Sequence, residues 1–248
     1  MSRGAASATS REFDLAEVSV RELNAALHAA GAAVNAAAAG ARAEQLVGPV
    51  VVRNPGGRHN LAVGLDAPLE IEIAGHTGYY CAGMNQHASV RIAGNCGVGV
   101  AENMMSGRVE VDRNASQAAG ASAHGGMLVV HGDAAARCGI SLKGADVVVR
   151  GSVGHMAAFM AQSGRLVVCG DAGEAFGDSL YETRAYVAGT VAGLGADCVE
   201  KELGEEHHAE LAAILLAAGL DDVEPGDFRR YGSARTLYHF HADHARDY

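Results

Sequence analysis

Residues 128–132 read LVVHG, residues 147–151 read VVVRG and residues 166–170 read LVVCG, so one phrase returns every nineteen residues. Extended both ways, the interval collects Gly75, Gly94, Gly132, Gly151, Gly170 and Gly189 in one column, broken only by Arg113. A column three residues later holds Gly78, Gly97, Ser116, Ala135, Gly154, Gly173 and Ala192. A fixed period kept over seven passes without insertion is the mark of stacked, equivalent units.

The apolar columns say what the units are. One reads Ile71, Val90, Val109, Leu128, Val147, Leu166, Ala185, and two residues on comes Ile73, Ile92, Val111, Val130, Val149, Val168, Val187. Alternate residues of a strand share a face, so both columns point into a core. Each strand is short and ends at the glycine column, where a positive φ would permit a tight corner. Two further columns hold small residues: Ala82, Ala101, Gly120, Gly139, Ala158, Gly177, Ala196, and Ala88, Gly107, Gly126, Ala145, Gly164, then Thr183. Small side chains suit places where the coil narrows or backbones pass closely.

Nineteen residues are too few for a strand–helix–strand crossover, and the leucine-rich LxxLxL signature is absent. The fold expected is therefore all-β: a single-stranded parallel β-helix of seven to eight nineteen-residue turns. Right-handed winding is expected, because the hexapeptide pattern of left-handed coils is missing.

Around the repeat, residues 1–47 read as an N-terminal arm, 48–199 as the β-helix and 200–248 as a C-terminal helix and tail. Val50, Val51 and Val52 before Asn54-Pro55-Gly56 look like a first strand at a slightly different spacing. Residues 14–30 read as a short helix that Asp14 or Ser19 could cap, with Leu23 and Leu27 four apart. The Ala-rich stretch 29–43 is ambiguous. Residues 200–218 read as a helix with Leu203, Leu211, Ile214 and Leu215 on one face and Gly219 as its stop. The tail from Asp221 to Tyr248 is expected on another surface.

The outward strand column changes character along the stack. Glu72, Arg91 and Glu110 are charged, whereas Val129, Val148, Val167 and Tyr186 are apolar. Valines on an outer face need cover. Two covers are open at this point: the chain's own C-terminal helix, or a partner protein.

Composition narrows the function. The 248 residues are 49% hydrophobic but only 5% aromatic with no Trp, so the core must use small and β-branched side chains. The net charge of -10 and the lack of a basic run argue against nucleic acid. MSRGAASATS lacks an apolar signal region, and no run of about 18 apolar residues could span a membrane. The cytoplasm is the expected location. Cys81 and Cys138 share a column three turns apart, roughly 14 Å at the spacing of parallel strands. That is too far for a disulfide. Cys96, Cys169 and Cys198 fall in other columns, so free thiols in a reducing compartment are expected.

Candidate chemistry is sparse. His239, His241 and His244 cluster near the C-terminus and His207 adjoins His208, but no HExxH accompanies them. His124 and His131 fall in different columns and read as single exposed or hydrogen-bonded side chains. Gly94-Asn95-Cys96-Gly97-Val98-Gly99 has the look of a phosphate loop, yet it is repeat, with no following helix or Lys-Ser/Thr. No GxSxG elbow is present, and the acidic residues do not stack as a polysaccharide lyase would require. The expectation is no catalytic, cofactor-binding or metal-binding residue in this chain.

The repeat G-x-x-G-x-x-x-A/G, with valine pairs ahead of each first glycine, resembles the GXGXG domain family. It appears as Gly75-His76-Thr77-Gly78, Gly94-Asn95-Cys96-Gly97, Gly151-Ser152-Val153-Gly154 and Gly170-Asp171-Ala172-Gly173. The family includes the C-terminal β-helix of the glutamate synthase large chain. It also includes the β-helix subunit of formylmethanofuran dehydrogenase and of the related formyltransferase/hydrolase complex, and the third subunit of N-methylglutamate synthase. Phe13-Asp14-Leu15, Arg21-Glu22-Leu23-Asn24 and Leu237-Tyr238-His239-Phe240 are most similar to the stand-alone glutamate-synthase-like subunit. Arg113 and Ser116 depart from the glycine rule, so that turn is expected to bulge.

The resemblance implies a noncatalytic β-helix subunit of a multisubunit enzyme, most similar to N-methylglutamate synthase, which joins methylamine to glutamate. It would bridge a glutamine-amidotransferase-like subunit and a subunit holding FMN and iron–sulfur clusters. Ser2 stands where that amidotransferase type would begin with its Cys nucleophile. The alternative is the β-helix subunit of a formylmethanofuran dehydrogenase or formyltransferase/hydrolase complex.

Overall fold

In the computed structural model, which describes residues 11–38 and 48–236, the repeat forms a parallel β-solenoid of about seven turns. Strand β1 (Arg11–Asp14) and helix α1 (Val20–Ala38) precede β2 (Val50–Arg53). The coils then supply β3 (Glu70–Ile73), β4 (Ser89–Ile92), β5 (Arg108–Val111), β6 (Met127–Val130), β7 (Lys143–Val149), β8 (Ser163–Val168) and β9 (Arg184–Val187). β10 (Cys198–Lys201), α2 (Glu205–Ala218) and β11 (Arg229–Ser233) follow. All strands form one sheet in the order β1-β2-β3-β4-β5-β6-β7-β8-β9-β11-β10.

Register follows the columns. Ile71 pairs with Val90, Val90 with Val109, and the series continues through Leu128, Val147 and Leu166 to Ala185. Both predicted inward columns are buried. β2 pairs with β3 through Val50 and Ile71, at a spacing different from the later coils as expected, but it is not the first strand: β1, in the stretch read as an arm, precedes it and pairs parallel with it. A second line of contact runs down the opposite wall as single parallel bridges, Thr77–Cys96–Ala115–Ala134–Val153–Ala172–Val191. The bulge expected at Arg113 and Ser116 is absent, because Ala115 between them keeps its bridges to both neighbouring coils. The register shift falls instead between Lys143 and Asp146.

The corner glycines are needed for a different reason from the one expected. Gly75 has φ +148°, but Gly94, Gly132, Gly151, Gly170 and Gly189 do not have positive φ. Their constraint is closeness: a Cβ on Gly94 would stand 2.6 Å from the carbonyl carbon of Gly75 in the preceding coil. Positive φ sits elsewhere, in three alternating columns. These run through Tyr80, Gly99, Ala118, Arg137, Met156, Ala175; Ala82, Ala101, Gly120, Gly139, Ala158, Gly177; and Met84, Asn103, Ser122, Ser141, Met160, Ser179.

Alternation explains how this wall is bonded. Tyr80 and Met84 donate their N–H groups forward, to Val98 and Glu102 at 2.8 Å each. Ala82, between them, donates backward to Leu61 at 2.9 Å. Each coil thus bonds to both neighbours. A left-handed conformation costs a non-glycine residue about 1–2 kcal/mol, and the lateral hydrogen bonds offset it.

A coil stack needs substitutes at its ends, where one neighbour is missing. α1 provides them at the start. Leu23, Leu27, Ala30 and Gly31 turn to the core. On the same helix, Asn24 Oδ1 accepts the Ala62 N–H at 2.9 Å and Asn24 Nδ2 donates to the Asn60 carbonyl at 2.7 Å. His28 Nε2 lies 3.0 Å from the Val63 carbonyl oxygen, and Asn35 Nδ2 donates to the Asp66 carbonyl at 3.2 Å. Ala62 is the equivalent of Ala82, so Asn24 takes the place of an absent preceding coil.

Several boundaries differ from the sequence reading. α1 starts at Val20, not 14, because Ser19 and Glu22 form a reciprocal cap: Glu22 Oε2 accepts the Ser19 N–H at 2.8 Å and Ser19 Oγ accepts the Glu22 N–H at 3.2 Å. Asp14 instead accepts from Asn54 and Ala16. The helix continues to Ala38, and residues 39–43 of the ambiguous stretch lie outside the described residues. The second helix starts at Glu205 because residues through Lys201 are strand β10. Gly219 does end it, at φ 76°. The tail does not lie on a separate surface over Arg229–Ser233: β11 inserts antiparallel between β9 and β10 and closes the stack.

α2 is also the cover of the apolar outer face. Val129, Val148, Val167 and Tyr186 are fully buried against Leu211, Ile214, Leu215, Ala218, Leu220 and Phe228. Of the two open readings, the chain's own helix is the one realised. Arg108 ends the cover: its Nη1 donates to the Ala217 carbonyl at 2.8 Å and its Nη2 to that of Ala218 at 3.3 Å. A cation at a helix C-terminus also complements the macrodipole.

Val148→Asp or Val167→Asp should therefore destabilise the isolated chain by on the order of 3–5 kcal/mol, since each buries an unpaired charge. Urea denaturation of the purified variants reads this; unchanged midpoints would mean that α2 does not seat there. Asn24→Ala should cost about 1–3 kcal/mol by orphaning the buried Ala62 N–H. Arg21→Ala on the exposed side of α1 should stay within about 0.5 kcal/mol.

Candidate functional site

The GxxG corners stack directly upon one another, and a polar column runs beside them. It consists of His76, Asn95, Asn114, Asp133, Ser152, Asp171 and Thr190. Each side chain accepts the N–H of the next member: His76 Nδ1 from Asn95 at 2.9 Å, Asn95 Oδ1 from Asn114 at 3.0 Å and Asn114 Oδ1 from Asp133 at 2.9 Å. Asp133 accepts from Ser152 at 2.8 Å, Ser152 from Asp171 at 3.0 Å and Asp171 from Thr190 at 2.7 Å. The Thr190 N–H and hydroxyl together hold the Asp171 carboxyl below the ordinary aspartate range. Asp133 and Asp171 thus do share a column, contrary to the sequence reading, but Ser152 separates them and both serve the backbone. The glycine-rich stretch 94–99 belongs to this ladder and to the Cys96 bridges, with strand and turn rather than a helix after it.

The outer face divides in two where α2 stops. Beyond that point Arg91 pairs with Asp112 at 2.8 Å, and Arg53 pairs with Glu12. Glu110 receives His131 Nε2 at 2.6 Å and Arg108 Nε at 3.1 Å. Burial alone would raise the Glu110 carboxyl, but His131 and Arg108 outweigh it and hold it below its usual value. These charges satisfy one another, and His131 is a hydrogen-bonded side chain as expected. His124 is exposed.

Among the described residues, four of the seven exposed large apolar side chains lie on the coils that begin with β3 and β4, the others being Met160, Leu194 and Leu216. Tyr79 is 58% exposed, with Val98 next in its column, and Met84 and Met105 project from the same two coils. Tyr79 is held rather than loose: the His59 ring stacks on it at 4.4 Å between centroids, and His59 Nδ1 accepts the Tyr79 N–H at 2.9 Å.

All five cysteines are free. Burial pushes the Cys138 thiol up to about 12 and raises Cys81 further. Cys96 and Cys198 also rise to about 12 through burial. Cys169, at about 11, is the one that is only half-buried. Among the described residues no three His, Cys, Asp or Glu side chains converge to hold a metal. His239, His241 and His244 lie outside the described residues; His207 and His208 lie on α2, where His207 Nδ1 accepts the Gly204 N–H at 3.2 Å. No helix among the described residues is long and apolar enough to cross a membrane.

Over 236 residues the chain is 52% identical to Protein GlxC of Rhizobium meliloti (strain 1021), covering 95% of this chain and 99% of that one. No family model matches the chain, and no solved structure matches it.

Thiol reactivity checks the packing directly. In native buffer a water-soluble maleimide should label Cys169 first, with Cys81, Cys96, Cys138 and Cys198 reacting only on unfolding. Peptide mass mapping reads the order, and early labelling of Cys81 or Cys138 would contradict a closed coil interior.

Proposed function

The chain belongs to the family of Protein GlxC, and from that premise we propose that it is the assembly subunit of a glutamate-synthase-like enzyme. The complex in this reading is N-methylglutamate synthase, which makes N-methylglutamate from methylamine and glutamate. The β-helix subunit supplies no catalytic residue of its own. It bridges a glutamine-amidotransferase-like subunit and a subunit that carries FMN and iron–sulfur clusters, and the setting is cytoplasmic.

The observation that supports this reading most is the stack of GxxG corners. Gly75-His76-Thr77-Gly78, Gly94-Asn95-Cys96-Gly97, Gly151-Ser152-Val153-Gly154 and Gly170-Asp171-Ala172-Gly173 are the residues by which the sequence resembles the GXGXG domain. Their middle residues are the ones that bridge coil to coil. The side chains spent on this are structural, which suits a frame.

The partner surface in this reading is not the valine face, because α2 already occupies it. Tyr79, Val98, Met84 and Met105 are the large apolar side chains left exposed on the early coils. Tyrosine and methionine are enriched at protein interfaces, and Tyr79 is held rigid by the His59 ring.

A tagged chain recovered from its native cells should bring down two further subunits and a yellow-brown colour with flavin and iron–sulfur absorption. A colourless lone chain would sink the proposal. Tyr79→Arg combined with Val98→Arg should lower partner recovery at least about tenfold, as expected for loss of an interface anchor, with an unchanged urea midpoint. Full recovery in that variant would move the interface elsewhere.

A further inference from the structure

The back wall of the coil stack has one covered end and one open end. Down the bridge column, each residue's own N–H and C=O serve the next coil. Ala115 donates to the Asp133 carbonyl at 2.9 Å and accepts the Ala135 N–H at 3.0 Å. Ala172 does the same with Thr190 and Ala192, at 2.8 and 2.9 Å. Phe176, bridged to Leu194, donates to Gly193 at 2.9 Å and accepts from Gly195 at 2.8 Å. Val191 and Leu194 are the last members of these two lines, so their own N–H and C=O groups face off the end of the stack. Among the described residues none of those groups has a partner. At the first coil, by contrast, α1 meets the backbone with Asn24, His28 and Asn35.

The side chains at this end are open as well. Leu194 is 43% exposed. Val191 ends the inward column Thr77, Cys96, Ala115, Ala134, Val153, Ala172 and is only partly buried against the core. An unpaired row of backbone groups beside apolar side chains is a template for a further strand.

The chain after β11 leads to this row. β11 runs antiparallel to β10, with Arg230 opposite Lys201 and Ser233 opposite Cys198. The next residue keeps that register, since the Ala234 N–H donates to the Asp197 carbonyl at 2.7 Å. The Thr236 N–H then donates to the Asp197 carboxylate at 2.8 Å. The chain is therefore retracing the last coil backwards when it reaches Thr236. Twelve residues follow, 237–248, and they lie outside the described residues. Carried on in the same register, Leu237 comes opposite Leu194 and Phe240 opposite Val191.

We propose that residues 237–240 dock on the back wall of the last coil as an antiparallel strand, with Leu237 against Leu194 and Phe240 over Val191. Residues opposite one another in such a pair share a face, so Phe240 extends the inward column and covers the end of the core. The open N–H and C=O groups of Val191 and Leu194 gain partners by the same step. A strand from another molecule would compete with a segment already tethered at Asp197, whose effective concentration is far higher.

Disulfide trapping in the full chain, on a Cys169→Ser background, tests the register. The matched pairs are Leu194→Cys with Leu237→Cys, and Val191→Cys with Phe240→Cys. Opposed Cα atoms lie about 4.5–5.5 Å apart, within the reach of about 7 Å that a disulfide allows. The swapped pairs, Leu194→Cys with Phe240→Cys and Val191→Cys with Leu237→Cys, are three residues out of register, roughly 10 Å along a strand. In a glutathione redox buffer the matched pairs should link within one chain at least about tenfold faster than the swapped pairs, as that distance limit requires. Non-reducing peptide mapping reads the links, and urea midpoints in reducing buffer confirm the folds. Leu194 is exposed, so its pair gives the answer even where Val191→Cys disturbs the core. Equal linking of matched and swapped pairs would mean a tail that is not seated and would overturn the proposal. Links formed only between chains would assign the row to a second copy and overturn it too, as would no link in a matched pair that folds.

Discussion

Each coil of this protein depends on the backbone hydrogen bonds it exchanges with the coil before and the coil after. The sheet strands do this in the ordinary parallel way. The opposite wall does it by alternating the sign of φ, so that Tyr80 and Met84 donate one way and Ala82 the other. A nineteen-residue turn cannot satisfy these groups within itself. Stacking is therefore an obligation, and it sets the close approach at the corners, the small residues inside and the devices at both ends.

The ends show the obligation most clearly. α1 presents Asn24, His28 and Asn35 to the first coil, replacing backbone partners with side chains. At the far end β11 reverses direction and pairs with β9, so the last parallel strand is not left open. α2 returns along the flank and ends where Arg108 donates to its last carbonyls. The charged outer residues begin there, which explains why the column changes from valine to charge at Glu110. Solvent keeps the charges, and the helix keeps the valines.

Much of this was legible in the sequence because a strand column leaves a chemical trace. Val90 and Val109 had to face inward, Gly219 had to stop a helix, and the valine column had to be covered. The alternating φ wall left little trace, since Tyr80, Arg137 and Met156 adopt positive φ for the sake of lateral bonds rather than by their own preference. The polar ladder was visible as seven hydrogen-bonding residues in one column, yet its purpose needs the distance from one coil to the next. β11 could not be read ahead: RRYGS has no strand alternation, and Arg230 argues against burial.

Whether the repeat is a stack of equal coils is the claim on which everything else rests. Pulsed electron spin resonance between nitroxides at Glu174 and, in turn, Gln117, Val98 and Tyr79, on a Cys169→Ser background, measures it. These positions share one column, so the distance should lengthen by about 4.8 Å with each added coil, from roughly 14 Å to roughly 24 Å. Distances that fail to rise in equal steps would contradict the coil stack and the account built on it.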